Sequence, residues 1–301
     1  MKAHNCETSE SLPSPYFRIW SCGIFRVEAL TDTASLIYEP VRTAEWGGST
    51  YPRQLLKALL CCPGRRARRE ALIDMLWPEC DPEQARAKMN TGTTKLRSLL
   101  RLTKDRAPLL VTEENASIYS LADQTLLWVD AEEALALLKE VERIGRTVPQ
   151  ALSLLEEAAS YFNRGVFLEG EEGAWVYKQR KSIEEARYRC QLWLSEAYER
   201  QGQPGQAEMI LSLLLAEDPT DEDALRRLLD VLHRQNMLQK GRRIYEETKR
   251  LLRDQNRDLS QATITFAEQV LNGLPTSGEG SREQESPRVL SFRFRNGSSI
   301  H

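Results

Sequence analysis

Apolar residues follow two rhythms along this chain. Between residues 16 and 50 they come in short runs, YFRIWSCGIFRVE at 16–28 and SLIYEPVRTAEW at 35–46, rich in aromatic and β-branched side chains, which predicts short strands. From Tyr51 the rhythm turns helical. YPRQLLKALLCCPG has Pro52 near a helix start, Leu55, Leu56, Leu59 and Leu60 at helical spacing, and a Pro-Gly stop. RRARREALIDMLWPECDP predicts a second helix with Leu72, Ile73, Leu76 and Trp77 on one side, closed by Pro78. Asp81-Pro82 then reads as an N-cap followed by proline at the first helical position, opening a third helix. LLVTEENASIYSL at 109–121 predicts two strands around a turn at Glu114-Asn115. After Trp128 the helical period dominates, in segments such as DAEEALALLKEVERIG, WVYKQRKSIEEARYRCQLWLSEAYERQG and DEDALRRLLDVLHRQN, joined by short turns.

Three helices and a hairpin behind a small sheet make a winged helix-turn-helix pattern. At about 100° per residue the third helix, ARAKMNTGTTKLRSLLR at 85–101, turns Ala85, Met89, Gly92, Thr93, Leu96 and Leu100 inward. Thr91, Thr94, Lys95, Ser98 and Arg101 point outward, with Lys88, Asn90 and Arg97 on the flanks. Glu/Lys pairs at i,i+4, the usual dress of a solvated helix, are missing from this stretch. Its cations, hydroxyls and amide suit a DNA major groove, where phosphates take cations and base edges take Asn, Lys and Thr. Any surface helix can carry such residues; the place in the pattern decides, because the third helix is the one a helix-turn-helix inserts. Arg65, Arg66, Arg68 and Arg69, ahead of the second helix, are read either as phosphate contacts or as solvated charge.

Leu194, Ala197, Tyr198, Ala207 and Leu211 fall opposite Leu228, Val231, Leu232, Gly241 and Tyr245 at a spacing of 34 residues. That is the tetratricopeptide (TPR) period, in which small residues let paired helices approach closely; an ordinary helical bundle is the alternative. The fold class expected is therefore mostly α: an N-terminal winged helix-turn-helix (α+β) followed by an all-α TPR-like helical repeat domain. The divisions expected are a flexible N-terminus at 1–15, the winged helix at 16–124, the helical domain at 125–272 and a disordered, polar tail at 273–301 in which VLSFRFR at 289–295 alternates like a strand.

Net charge is −3 overall, but it is not evenly spread. Residues 51–106 carry 13 Lys and Arg against 6 Asp and Glu, while residues 128–272 carry 20 against 26. A basic module joined to an acidic one predicts that the first meets a polyanion and the second does not. Six cysteines, Cys6, Cys22, Cys61, Cys62, Cys80 and Cys190, show no C-x-x-C spacing and are read as reduced, mostly buried thiols; neither a metal nor a cofactor is expected. Paired carboxylates such as Glu156-Glu157 and Glu184-Glu185 diverge by about 100° on a helix, and phosphate loops, nucleophile elbows and zinc-binding helices are absent, so catalysis is not expected. Without an apolar stretch of membrane length or a secretory leader, the chain is expected to stay in the cytoplasm, off the membrane.

The tokens RQLLKALL, LIDMLWPE, DPEQAR and KLRSLL resemble, in order, the DNA-binding half of SARP-type (Streptomyces antibiotic regulatory protein) activators, whose winged helix is of the OmpR type. CGIFRV at 22–27 resembles that family's first strand; WVDAEEAL, YFNRGVFLEG and Trp175 resemble the start of its bacterial transcriptional activator domain (BTAD). The resemblance spans roughly residues 16 to 272. It implies sequence-specific binding of double-stranded promoter DNA, as a homodimer on repeated sites, and contacts that recruit RNA polymerase. It further implies a base contact for Lys95, backbone contacts for Thr94 and Arg97, and wing residues from Glu113 to Tyr119, Asn115 among them, near the minor groove. The DNA-binding set expected is thus Arg68, Arg69, Lys88, Asn90, Thr91, Thr94, Lys95, Arg97, Arg101, Asn115 and Tyr119.

Some residues depart from the family pattern. Arg68 stands where relatives place a Ser or Thr cap worth ~1 kcal/mol; Gly92 inside the third helix costs about as much relative to Ala; Glu113 and Glu114 make the wing acidic. These departures support a second reading, a TPR-like interaction scaffold whose winged helix no longer reads DNA.

Overall fold

The computed structural model describes residues 14–100, 108–113 and 117–272. The expectations for Arg101, Glu114, Asn115, the first thirteen residues and the tail from 273, VLSFRFR included, lie outside them. Strand β1, Phe17–Trp20, turns Phe17 and Ile19 into the core and leaves Arg18 and Trp20 on the other side, as a period of two requires. It pairs antiparallel with β2, Arg26–Asp32, which pairs antiparallel with β3, Ile37–Pro40. A fourth strand completes the sheet in the order β3-β2-β1-β7: β7, Leu127–Val129, runs parallel to β1 where sequence periodicity predicted only the approach to a helix. Leu127 and Val129 are buried beside Phe17 and Ile19.

Helix α1, Tyr51–Leu60, has Pro52 in its first turn and buries Leu55, Leu56, Leu59 and Leu60, the predicted set. Strand β4, Arg66–Arg68, is too short for its alternation to show in the sequence; it pairs antiparallel with β6, Ile118–Leu121, itself paired with β5, Leu110–Glu113. This second sheet is the wing. Helix α2, Arg69–Leu76, follows, and α3, Pro82–Leu99, opens with the Asp81 carboxylate accepting from the backbone N–H groups of Glu83 and Gln84 at 3.0 and 3.3 Å.

The first sheet is sewn to helix α4, Asp130–Ile144, by buried polar groups. The Asp130 carboxylate accepts from Ser21 N (2.7 Å), Ser21 Oγ (2.6 Å), Cys22 N (3.2 Å) and Ala131 N (2.8 Å). Burial pushes its pKa above the ordinary carboxylate range while those hydrogen bonds pull it down. Between β1 and β2, Gly23 (φ +76°) lies so close to the loop at residues 163–168 that a Cβ there would sit 2.4 Å from the Arg164 carbonyl oxygen. The facing Gly165 (φ +140°) would place a Cβ 2.7 Å from Gly23 Cα. Only glycine allows this contact, which the hydrogen bonds Gly23 N to Val166 O and Leu168 N to Ser21 O close.

Two compact units divide at Ala224/Leu225. The first holds the winged helix together with α4, α5 (Gln150–Phe162), α6 (Ala174–Arg200) and α7 (Pro204–Glu217), each packed against the next in sequence. Along the 27 residues of α6, Val176, Ile183, Ala186, Cys190, Leu194 and Ala197 form one buried stripe. The second unit contains the greater part of α8 (Glu222–Arg234), then α9 (Leu238–Asp254) and α10 (Gln261–Leu271), which the Ser260 hydroxyl caps. There Gly241 lets helices close up: a Cβ would lie 3.0 Å from Leu271 Cδ2 and 3.5 Å from Leu229 Cδ2. The 34-residue period also recurs in the backbone. Gly202 and Asn236 are both left-handed (φ 71° and 58°). The residue after each donates back to close the helix end, Gln203 N to Tyr198 O at 2.9 Å and Met237 N to Leu232 O at 2.8 Å.

Candidate nucleic-acid interface

Helix α3 is held by its apolar stripe. Ala85, Met89, Gly92, Thr93, Leu96 and, at the cap, Leu100 are buried, the set that a 100° step predicts. Buried Thr93 satisfies its hydroxyl on the Met89 carbonyl at 2.7 Å. Gly92 does not interrupt the helix. A Cβ there would lie 3.3 Å from both Cβ and O of Tyr51, so the glycine lets the first turn of α1 lie against α3. The propensity cost read from sequence therefore goes into a close helix crossing rather than a weak point.

The opposite side carries the predicted polar set, cross-bonded to the wing and to neighbouring turns. Arg69 donates to Asn90 Oδ1 at 2.6 Å; Arg97 donates to Thr112 Oγ1 at 2.9 Å; Lys95 donates to the Gly47 carbonyl. Lys88 reaches Cys80 Sγ at 2.8 Å, a contact that raises its pKa. Thr91 is half-buried, while Thr94 and Arg68 are exposed. Arg68 starts α2 without a side-chain cap; the N–H of Arg69 is satisfied instead by the Ser117 carbonyl at 2.8 Å, a bond from helix to wing.

Strand register sorts the remaining candidates. In β4 the alternation leaves Arg66 and Arg68 exposed on one face and turns Ala67 to the other, where it sits opposite Tyr119. Tyr119, expected near the minor groove, is corrected by that register. Its ring is buried between Ala67 and Thr112 in the winged-helix core, and only its hydroxyl meets Arg69, at 3.4 Å. Phosphate contact is likewise ruled out for Arg65. With 4% of its surface exposed, its guanidinium donates to Glu132 through Nε and Nη2 (2.8 and 2.7 Å), to Gln124 Oε1 (2.6 Å) and to the carbonyls of Ala122 and Leu127 (2.6 and 2.8 Å). Arg66 pairs with Glu113 at 2.5 Å, both half exposed, so the acidic wing offsets one cation of the face.

Two features of this face escaped the sequence reading. The turn at Thr43–Trp46 with Gly47 (φ 71°) stands beside α3 and supplies the acceptor for Lys95; the Gly47-Gly48 pair was its only sequence signal. The Arg53 guanidinium lies over the buried Trp46 ring at 4.9 Å, at the same edge. Chemically, the arrangement offers guanidinium and ammonium donors whose hydrogen bonds are exposed and whose partners, Asn90, Thr112 and Gly47, are neutral, so these pairs leave the positive charge uncancelled and open to exchange.

Residues 129–271 match the family model of the bacterial transcriptional activator domain. Over 208 residues the chain is 31% identical to the regulatory protein AfsR of Streptomyces coelicolor, and over 209 residues 28% identical to AfsR of Streptomyces griseus. These alignments cover 69% of this chain but only 20% and 21% of the two relatives, so the chain spans about a fifth of their length. In fold it is similar to Mycobacterium tuberculosis EmbR, solved in complex with a low affinity phosphopeptide: TM-score 0.69, 21% identity, covering 87% of this chain and 66% of that one. The activator-domain match, together with AfsR relatives aligned over 69% of the chain and the likeness in fold to EmbR, supports a SARP-type transcriptional regulator.

Proposed function

We propose that this protein is a sequence-specific DNA-binding activator that lays α3 in the major groove of promoter DNA and sets the β5–β6 wing against the neighbouring backbone. One observation carries the reading: the whole apolar side of α3 is buried, and Arg68, Arg69, Asn90, Thr94, Lys95 and Arg97 are left around its other side and the adjoining wing. On binding, Lys95 exchanges the Gly47 carbonyl for a base edge, and Arg69 and Arg97 exchange neutral oxygens for phosphates. Arg69 and Arg97 each give up an exposed hydrogen bond to a neutral oxygen and gain one to an anionic phosphate, the stronger kind, while Lys95 trades one neutral acceptor for another and so supplies selectivity more than affinity. With winged helix 16–124 as the reader, the helical region 125–272 supplies contacts for dimerisation and for RNA polymerase.

Selection of genomic fragments on the purified protein, followed by footprinting, is expected to yield a defined repeated site. With about 4 to 6 phosphate contacts per subunit, the logarithm of affinity should fall with log salt at a slope near −0.9 per contact. Failure to bind any fragment at low salt would leave the scaffold reading, which the Arg66–Glu113 pair in the wing favours.

A further inference from the structure

The first unit contains a groove of about 930 Å³ walled by α5, α6 and α7. We propose that it is a docking site for a basic amphipathic helix of a partner protein. The inference does not depend on the DNA reading, since none of the residues involved lies in the winged helix.

Helix α7 has two apolar sides. Ala207, Ile210, Leu211, Leu214 and Leu215 are buried, yet Met209 and Leu213, one turn apart, stand 55% and 59% exposed on the groove side. A helix that is apolar all round is ordinarily covered all round, and Val166, 46% exposed, extends the same surface across the groove. Methionine in such a ridge adapts to varied apolar partners. On the α6 side the lining runs from Glu184 to Tyr198, a rise of about 21 Å at 1.5 Å per residue, the length of a helix of about fifteen residues.

The rim decides the charge of the occupant. At one end Arg187 is shared between Glu184 and Glu217, two carboxylates for one cation. At the other, Glu156 meets only the Tyr198 hydroxyl at 2.7 Å. Both ends thus carry surplus negative charge around an apolar middle. The walls decide its conformation. Helices offer side chains and no free strand edge, so an extended segment would find no backbone partners; the occupant must satisfy its own N–H and C=O groups, as a helix does.

The test uses the full chain and a synthetic peptide of about fifteen residues, with Leu at i, i+3, i+4 and i+7 and Lys on the flanks, alongside a twin carrying Glu for Lys. Fluorescence anisotropy should show the Lys peptide binding and the Glu peptide failing. Leu213→Asp and Met209→Asp, both at exposed positions and checked for retained helicity, should each weaken the Lys peptide by about tenfold or more, as should Glu217→Lys. Glu140→Lys, the same charge change on α4 outside the groove, should leave affinity within about twofold. Equal binding of the two peptides, indifference to Leu213→Asp and Met209→Asp, or an equal loss in Glu140→Lys would overturn the proposal, since attraction to acidic surface in general would then account for the binding.

Discussion

Two arginines of the first unit, Arg65 and Arg68, three residues apart in sequence, belong to regions that use the same chemistry to opposite ends. At the seam between the sheet and α4, Arg65 is buried and every acceptor around it is fixed: two carbonyls, an amide and one carboxylate. On the face of α3 and the wing, Arg68 is exposed, and Arg69 and Arg97 each touch a replaceable neutral oxygen. Burial, not residue type, separates the charge that holds the fold from the charge left for a ligand. The backbone agrees: Arg65 is held in the left-handed region (φ 55°), which a β-carbon resists and which its guanidinium network overdetermines.

The largest test of this contrast is Arg65→Ala, which takes the donor from the Ala122 and Leu127 carbonyls and from Gln124 while leaving the partly exposed Glu132 to water; it is expected to cost about 2 to 4 kcal/mol in urea unfolding. A cost below about 1 kcal/mol would erase the distinction. Next, Gly92→Val crowds Tyr51 across the α1–α3 crossing and should cost about 1 to 3 kcal/mol by the same measurement. Arg97→Ala and Lys95→Ala should behave in the reverse manner, changing stability by less than about 0.5 kcal/mol. In promoter titrations Lys95→Ala should lose about 1 to 3 kcal/mol of affinity with relaxed sequence preference, and Arg97→Ala should lose affinity on all sequences alike. The smallest and most diagnostic is Arg68→Ser. It supplies the missing cap of α2 and should add up to about 1 kcal/mol of stability, while flattening the salt dependence of DNA binding by about one contact. Stability and binding moving in opposite directions in one variant would place Arg68 on the ligand side of the divide.

Local rules made part of this legible beforehand. The inward side of α3 follows from a 3.6-residue period alone, and the Asp81 cap from a dipeptide. Arg65 was not legible, because its partners lie 57 to 67 residues away and nothing in RRARRE marks one arginine as interior. Strands β4 and β7, of three residues each, are too short for alternation to register, and their pairing with β6 and β1 is non-local. The inward side of Tyr119 is hidden for the same reason: which side of a hairpin faces the core is set by its pairing with the third strand, β4, about fifty residues earlier in the chain. Gly92 was recognised as costly but not explained, since its reason, Tyr51, sits on another helix.

The parallel pairing of β7 with β1 has a practical consequence for anyone dissecting the molecule. A fragment cut at residue 124 would leave β1 with an open edge and remove Leu127 and Glu132 from around Arg65, so a winged-helix piece needs to run on through the first turn of α4 to be self-sufficient. The same strand makes the junction a splice rather than a hinge, since β7 pairs with β1 and runs directly into α4, whose Asp130 is bonded back to Ser21 and Cys22.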